Sequence, residues 1–291
     1  MTTEPTGLSL YDQTAQEAAA VVIAGYSTSF GLASKLLGPR VRHHVRNIYA
    51  LVRIADEVVD GPAADAGLAA PALRVIIDEL EAETLAAIRR GFSSNLVVHA
   101  FAQTARECRI DRDLIAPFFA SMRADITTMS HDAQSHDDYV YGSAEVVGLM
   151  CLRAFQHARP APGDVGDDEV LVDGARRLGR AFQDVNFLRD LDHDAGALGR
   201  DYLGIETGLT TRSDVLDRID ADLAAAAAAV PGLPADCRRA VTAAHDLFAE
   251  LSRRLREQEP SNTARVRVPD PVKARLAARA WLGMAPKGPR A

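Results

Sequence analysis

The sequence is poor in cysteine, in aromatic residues and in long apolar runs, and each shortage excludes a class of protein. Its three cysteines among 291 residues are odd in number and far apart, which argues against a disulfide framework and fits a reducing compartment. Aromatic residues make up only 5% of the chain, and β-branched and aromatic residues do not alternate with period two, so we expect no strands. No apolar run approaches the roughly 20 residues that a membrane span needs.

Positive charge is also in short supply. The net charge of −7 argues against a general nucleic-acid binder, and an anionic substrate would need a local basic site or metal ions. The opening residues, MTTEPTGLSLYDQ, are acidic and polar where a signal peptide would be basic and then apolar. We therefore expect a cytoplasmic protein, with peripheral contact to a membrane surface left open.

Helical spacing dominates the rest of the chain, interrupted by short clusters of proline and glycine. The connections between the segments are short, and none is long enough to divide the chain. The sequence therefore predicts one all-α domain spanning residues 1–291. The expected helices lie near 10–36, 40–60, 67–90, 94–108, 112–129, 136–157, 167–194, 212–229, 235–257 and 270–284.

The second of these segments carries the motif RIADEVVD at residues 53–60. An apolar stripe that includes Val41, Ile48 and Val59 recurs at steps of three and four. Asp56 and Asp60 follow the same steps on another face, so the two carboxylates form a ladder along one strip of the helix.

A second ladder occurs in GRAFQDVNFLRDLDHD, at residues 179–194. Here Gln183, Asn186, Asp190 and Asp194 share one face, again at steps of three and four. A single pair of aspartates one turn apart is common on solvated helices and is weak by itself. The neutral amide of Asn186 strengthens the second ladder, because it adds an oxygen ligand without adding charge repulsion.

Two ladders of oxygen ligands are typical of a site for Mg²⁺, with Mn²⁺ as a substitute. Magnesium prefers hard oxygen ligands and usually binds through a few carboxylates together with substrate phosphate oxygens. Facing ladders could hold several ions against one diphosphate, so that a carbon–oxygen bond ionises and an apolar cavity shields the cation from water.

Five blocks of the sequence resemble the phytoene/squalene synthase family, and in particular its actinobacterial phytoene synthases. Their order and spacing match over nearly the whole chain, and together they are far more specific than any one of them. The blocks are YSTSF (26–30), IYALVRIADEVVD (48–60), YVYGSAEVVG (139–148), ARRLGRAFQDVNFLRD (175–190) and LGRDYL (198–203).

The resemblance implies the isoprenoid synthase fold, a single helical domain around a central cavity. It also implies a prenyltransferase that joins two geranylgeranyl diphosphates head to head through prephytoene diphosphate, giving phytoene in carotenoid biosynthesis. NADPH is not expected for this reaction. The partner is then geranylgeranyl diphosphate and not nucleic acid, while the oligomeric state stays open.

The resemblance also implies roles for individual residues. Arg53, Arg189 and Tyr141 match catalytic positions, and Asp125 matches an acidic residue on a central helix. The implied metal ligands are Asp56, Asp60, Asn186, Asp190 and Asp194. The implied substrate-binding residues are Ser27, Arg53, Tyr141, Gln183, Arg189, Arg200, Tyr202 and Arg265.

The sequence departs from the family pattern in a few places. Glu57 stands where many members have a second aspartate, and His193 replaces an acidic residue before Asp194, so whether Glu57 and His193 join the metal site is open. Thr28 stands where some relatives carry lysine. Asp184 adds a carboxylate near the second ladder.

Three other functions remain open from the sequence. A squalene or dehydrosqualene synthase would use farnesyl diphosphate with the same motifs. A class I terpene cyclase would keep both ladders but fold one chain internally. A non-catalytic isoprenoid-binding protein is the third, although it would have no reason to keep both ladders.

Two histidine-containing stretches lie outside these motifs. HDAQSHDD (131–138) matches no zinc pattern, and we interpret it as a turn and helix start. His43 and His44, in an arginine-rich segment, either assist diphosphate capture or belong to a solvated basic helix start.

Overall fold

The computed structural model describes residues 6–127, 133–157, 168–193, 202–205, 207–259 and 264–287, and within these ranges it contains helices and no strands. The predicted all-α class is therefore confirmed. The helices are α1 (Leu8–Tyr26), α2 (Thr28–Lys35), α3 (Pro39–Val59), α4 (Pro62–Asp65), α5 (Ala70–Arg90), α6 (Leu96–Cys108), α7 (Arg112–Thr127), α8 (Ala133–Val140), α9 (Val146–Gln156), α10 (Glu169–His193), α11 (Arg212–Ala229), α12 (Ala235–Glu257) and α13 (Asp270–Trp281).

Several helix ends follow directly from local residue chemistry. The Asn95 side chain accepts hydrogen bonds from the first free N–H groups of α6. Thr211 and Asp214 form a reciprocal capping box that starts α11. Gly91 ends α5 with a φ of 81°, a left-handed conformation that glycine adopts without steric cost.

Two of the predicted helices are interrupted, and both interruptions face the central cavity. The predicted helix 10–36 is broken at Ser27, whose backbone is extended and whose hydroxyl accepts a hydrogen bond from the Phe30 N–H at 3.0 Å. The predicted helix 136–157 contains a π-helical turn, Tyr141–Glu145, between α8 and α9. Such turns rotate the following side chains relative to an α-helix, and they occur frequently at functional sites.

The two ladder helices occupy central positions in the bundle. Helix α3 packs against α1, α6 and α9, and α10 packs against α11, α9 and the π-helical turn. Glycine permits the closest of these approaches: a Cβ atom on Gly148 would lie 2.4 Å from the carbonyl oxygen of Ala175, and one on Gly179 would lie 2.5 Å from that of Ala144. We infer that α10 can lie this near to α9 and the π-helical turn only with glycine at the contact points.

Among the described helices, none combines the length and the apolar content needed to cross a bilayer. Apolar side chains are instead buried in clusters between the helices. The largest surrounds Phe101, Phe118 and Phe119, and a second lies between α10, α11 and α12.

Candidate active site

A cavity of about 1490 Å³ lies between the helices. This exceeds the roughly 300–1,000 Å³ of an ordinary small-molecule pocket. Its lining comes from α1, α2, α3, α7, α8, the π-helical turn, α9, α10, α11, α12 and α13, together with Tyr202 and residues 265–269. A space of this size can hold two long apolar chains.

The first ladder lies at one end of this cavity. Asp56 and Asp60 both line it, as does Arg53 one turn earlier. The guanidinium of Arg53 lies over the Tyr26 ring at 4.6 Å, a cation–π contact that holds it beside the carboxylates. Glu57 forms an ion pair with Arg53 and does not line the cavity, so the structure separates Glu57 from the two aspartates.

The second ladder faces the same space from α10. Gln183, Asn186 and Asp190 all line the cavity, and so does Arg189. Both oxygens of Asp190 accept hydrogen bonds from two arginines: Arg189 donates at 3.3 and 2.9 Å, and Arg265 donates at 2.6 and 3.0 Å. The predicted late arginine, Arg265, is therefore at the site, 75 residues away in sequence from the carboxylate it contacts.

The two ladders differ in their electrostatics. Burial and the neighbouring Asp60 carboxylate raise the pKa of Asp56 well above its usual value, and Asp125 acts in the same direction. Burial also acts to raise the pKa of Asp190, but the hydrogen bonds from Arg189 and Arg265 hold that pKa below its usual value. The carboxylates on the α3 side thus disfavour one another's ionised form, whereas the arginines on the α10 side favour the ionised form of Asp190.

A buried carboxylate with two tyrosines lies next to the first ladder. Tyr139 donates a hydrogen bond to one oxygen of Asp125 at 2.8 Å, and Tyr202 donates to the other at 2.9 Å. All three residues line the cavity and are at most 7% exposed. Tyr202, which the sequence predicts to bind substrate, and Asp125, which it predicts to be an acidic residue of a central helix, thus meet at the cavity wall.

Tyr141 is the predicted site residue that the structure places elsewhere. It does not line the cavity, and its ring packs on the Phe101 cluster beneath the guanidinium of Arg176 at 5.4 Å. Residues two apart on a helix point in different directions, so only one tyrosine of YVY can face the cavity, and that tyrosine is Tyr139. Sequence analysis did not select Tyr139, because Tyr139 and Tyr141 lie in the same block and the block alone does not show which of them faces the cavity.

The remaining predicted residues divide into three groups. Ser27 lines the cavity, and its side chain is hydrogen-bonded to Tyr49, another residue of the lining. Asp184 points away from the cavity and accepts a hydrogen bond from Arg218 at 2.8 Å, so it does not extend the second ladder. Arg200 and Asp194 lie outside the described residues, as do the side chains of Thr28 and His193.

Beyond the ladders the cavity wall becomes aromatic. Phe182 of α10 and Phe248 of α12 stack with ring centroids 3.8 Å apart, and Phe30 of α2 lies 5.8 Å from each. Ring faces carry partial negative charge and attract cations, so this group can stabilise a positive charge on carbon while excluding water.

The far end of the cavity is apolar. Leu37, Leu171 and Leu233 close it, together with Phe155. At a rise of about 1.5 Å per residue, the 19 residues from Leu171 to Asp190 correspond to roughly 28 Å of α10. The cavity is therefore long as well as wide, with charged groups at one end and hydrocarbon at the other.

A family model for squalene/phytoene synthase matches residues 23–207. The chain belongs to the squalene/phytoene synthase family. It is 31% identical over 260 residues to a 15-cis-phytoene synthase of Paracoccus sp., a match that covers 80% of each protein. It is 29% identical over 252 residues to a 15-cis-phytoene synthase of Enterobacter agglomerans, covering 77% of this chain and 80% of that one. A match to the chloroplastic phytoene synthase 3 of Zea mays covers only 44% of that longer protein.

Solved structures of the same family share the fold. A dehydrosqualene synthase superposes with a TM-score of 0.74 at 22% identity, covering 93% of this chain and 96% of that one. The squalene synthase HpnC from Alicyclobacillus acidocaldarius superposes with a TM-score of 0.70 at 20% identity, covering 86% and 95%. The predicted isoprenoid synthase fold and the predicted prenyltransferase class are therefore confirmed.

The residues at the charged end fit the divalent metal ions on which this family depends. Asp56, Asp60, Asn186 and Asp190 offer only oxygen ligands, as a hard cation requires. The raised pKa of Asp56 has the crowding of carboxylates as one of its causes, and a bound cation would relieve that crowding. The structure thus brings together four of the five predicted ligands.

Proposed function

We propose that the protein is a phytoene synthase that joins two molecules of geranylgeranyl diphosphate, with Mg²⁺ as its metal and Mn²⁺ as a substitute. One observation supports this most strongly: the two ladders converge at the charged end of a cavity of about 1490 Å³ whose opposite end is apolar. Two C20 chains demand such a volume, and two diphosphates demand such a charged end. We also propose that residues 1–291 act as one domain.

The first reaction step is the loss of diphosphate from one substrate. Its C1–O bond breaks, the electron pair stays on the diphosphate oxygen, and an allylic cation remains. Bound Mg²⁺ supplies positive charge that neutralises the leaving group. Arg53, Arg189 and Arg265 line the same end, and their guanidinium groups can donate paired hydrogen bonds to the departing oxygens.

The second step forms a carbon–carbon bond. The C2–C3 double bond of the second substrate attacks the cation, and loss of a proton closes the cyclopropane ring of prephytoene diphosphate. The rings of Phe30, Phe182 and Phe248 lie where they can shield and stabilise the cation during this step. A second ionisation, rearrangement and proton loss then give phytoene.

The position of Tyr141 helps to choose between the candidate proton acceptors. Of the two acceptors considered from the sequence, Tyr141 and the released diphosphate, Tyr141 does not line the cavity. We therefore propose the released diphosphate, held at the charged end beside the cation. Asp125 is occupied by two tyrosine hydroxyls and is assigned to holding the cavity wall in position.

We also propose that the protein contacts a membrane surface, because its substrate and product are both lipids. Trp281 and Leu282, at the end of α13, are 60% and 68% exposed, and the guanidinium of Arg239 lies 6.0 Å from the Trp281 ring. Exposed apolar groups beside basic groups suit the boundary between headgroups and acyl chains. The fraction of protein that co-sediments with anionic vesicles should be smaller for Trp281→Ala than for the wild type.

Product analysis tests the proposed reaction. The purified protein is incubated with Mg²⁺ and either geranylgeranyl or farnesyl diphosphate, with and without NADPH, and the extract is analysed by mass spectrometry. We expect a C40 hydrocarbon from geranylgeranyl diphosphate without NADPH. If the main product is instead a C30 hydrocarbon from farnesyl diphosphate, the chain is a squalene or dehydrosqualene synthase. A cyclic C15 or C20 product would make it a terpene cyclase.

A further inference from the structure

Three of the eight histidines of the chain meet at one place outside the cavity. The rings of His43 and His44, on α3, lie 3.9 Å apart, and the ring of His157, which follows α9, meets His44 edge-on at 5.4 Å. Glu107 on α6 completes the group. His44 is only 2% exposed and neither α3 histidine lines the cavity, so neither diphosphate capture nor a solvated helix start describes this pair.

The spacing of the side chains is that of metal ligands. One ring nitrogen each from His43 and His44 and one carboxylate oxygen of Glu107 lie within 4.8 Å of one another. His44 Nε2 and Glu107 Oε2 are 3.6 Å apart, too far for a hydrogen bond. Ligand atoms about 2.0–2.2 Å from a tetrahedral zinc ion are separated by roughly 3.3–3.6 Å. The His44–Glu107 pair has this spacing, and small side-chain movements would bring His43 to it.

The ring of His44 is already oriented for this role. Its Nδ1 lies 3.1 Å from Thr104 Oγ1, and the same hydroxyl oxygen accepts a hydrogen bond from Asn47 at 3.0 Å. A hydrogen bond at one ring nitrogen fixes which nitrogen is presented to a metal, as protein metal sites require. Burial, with smaller contributions from His43, His157 and Arg40, lowers the pKa of His44 to about 3, so the imidazole stays neutral.

Arg40, a positive charge that acts on His44, is compensated. Arg40 donates to both oxygens of Asp236, at 3.1 and 2.9 Å, and to the backbone carbonyl of Phe155 at 3.1 Å. It also donates to the backbone carbonyl of His157, so its guanidinium is held by α12 and the end of α9 and not by Glu107. The Glu107 side chain is 54% exposed, so it can move toward an ion and supply negative charge.

We propose that His43, His44 and Glu107 bind a divalent transition-metal ion such as Zn²⁺, with a water molecule or His157 completing the coordination. Imidazole suits zinc and its neighbours in the periodic table, whereas the carboxylate and amide ladders of the cavity suit Mg²⁺. The ion would connect α3 to α6. Because it binds the folded chain only, it should stabilise the protein independently of the proposed reaction.

Calorimetric titration of Zn²⁺ into the metal-free full-length protein, in excess Mg²⁺ to occupy the oxygen ladders, tests the site. We expect one Zn²⁺ to bind the wild type. His43→Ala and Glu107→Gln should each weaken binding by at least about tenfold. Glu79 is an exposed glutamate on α5, and Glu79→Gln serves as the matched control. Asp190→Asn changes the cavity site only, so it should leave Zn²⁺ binding unchanged.

Thermal unfolding gives a second readout that does not depend on activity. A fixed excess of Zn²⁺ should raise the Tm of the wild type, Glu79→Gln and Asp190→Asn, and should raise the Tm of His43→Ala and Glu107→Gln by clearly less. The proposal is wrong if Zn²⁺ does not bind in excess Mg²⁺. It is also wrong if both substitutions leave affinity and Tm shift intact, which would show adventitious binding elsewhere.

Discussion

The two ladders use the same kind of side chain in opposite surroundings. On α3, Asp56 is half-buried, and loss of solvent together with the Asp60 and Asp125 carboxylates raises its pKa. On α10, Asp190 is held by Arg189 and Arg265, and its pKa is lowered. The raised pKa of Asp56 reflects burial and neighbouring carboxylates despite the nearby Arg53, whereas Asp190 is hydrogen-bonded by two arginines. The comparison suggests that α3 gains most from a metal ion, and that α10 must exchange its arginines for one.

The largest expected effect comes from removing a carboxylate from either ladder. Asp56→Ala and Asp190→Ala should each lower kcat/KM by about 10³-fold without unfolding the chain, because each removes electrostatic stabilisation of the leaving diphosphate. Steady-state assays and circular dichroism measure both. The exposed Asp65→Asn, just beyond α3, is the control and should keep the wild-type rate.

The double variant tests whether the two ladders act as one unit. If the ladders hold one site together, the Asp56→Ala/Asp190→Ala protein should lose little more activity than the worse single variant, since residues acting as one unit are not additive. If the activity losses of the two single variants multiply in the double variant, the ladders act as two independent sites and the proposal of one site is wrong.

A smaller effect should separate the two roles of Arg265. This guanidinium contacts Asp190 and also lines the cavity, so Arg265→Gln removes a competitor of the metal and a donor to diphosphate. We expect the substrate KM to rise about tenfold, in line with the loss of a charge-assisted hydrogen bond, while the Mg²⁺ concentration for half-maximal rate falls. A parallel rise in both would show that Arg265 does not compete with the metal.

The smallest effect tests which tyrosine belongs to the site. Tyr139→Phe removes a hydrogen bond to the buried Asp125 and should lower kcat several-fold, because the carboxylate beside Asp56 loses one of its donors. Tyr141→Phe is the matched control and should leave kcat unchanged, since this ring lies outside the cavity lining. The reverse order of effects would restore the sequence-based assignment of Tyr141.

Much of the charged end could be predicted from the sequence because it depends on helix periodicity. Asp56, Asp60, Asn186 and Asp190 follow steps of three and four, and a helix of any kind places them on a common strip. The opposing orientation of Asp184 follows from the same rule, since it precedes Asn186 by two residues and points toward Arg218.

Other features depend on contacts distant in sequence and could not be predicted this way. The two hydrogen bonds to Asp125 join residues 14 and 77 positions apart, so no local pattern indicates them. The helix breaks at Ser27, whose hydroxyl oxygen accepts a capping hydrogen bond from the Phe30 N–H. The apolar spacing of this segment is helical throughout and does not indicate the break. The π-helical turn after Val140 likewise leaves no trace in apolar periodicity.

Binding of inorganic pyrophosphate tests whether the two ladders form one metal-dependent diphosphate site. Calorimetry would be carried out with and without Mg²⁺ on the wild type, Asp56→Asn and Asp190→Asn. We expect tight binding to the wild type only when Mg²⁺ is present, and a large loss of affinity in both variants. Pyrophosphate binding that needs no Mg²⁺, or that survives in either variant, would contradict the proposal of one site.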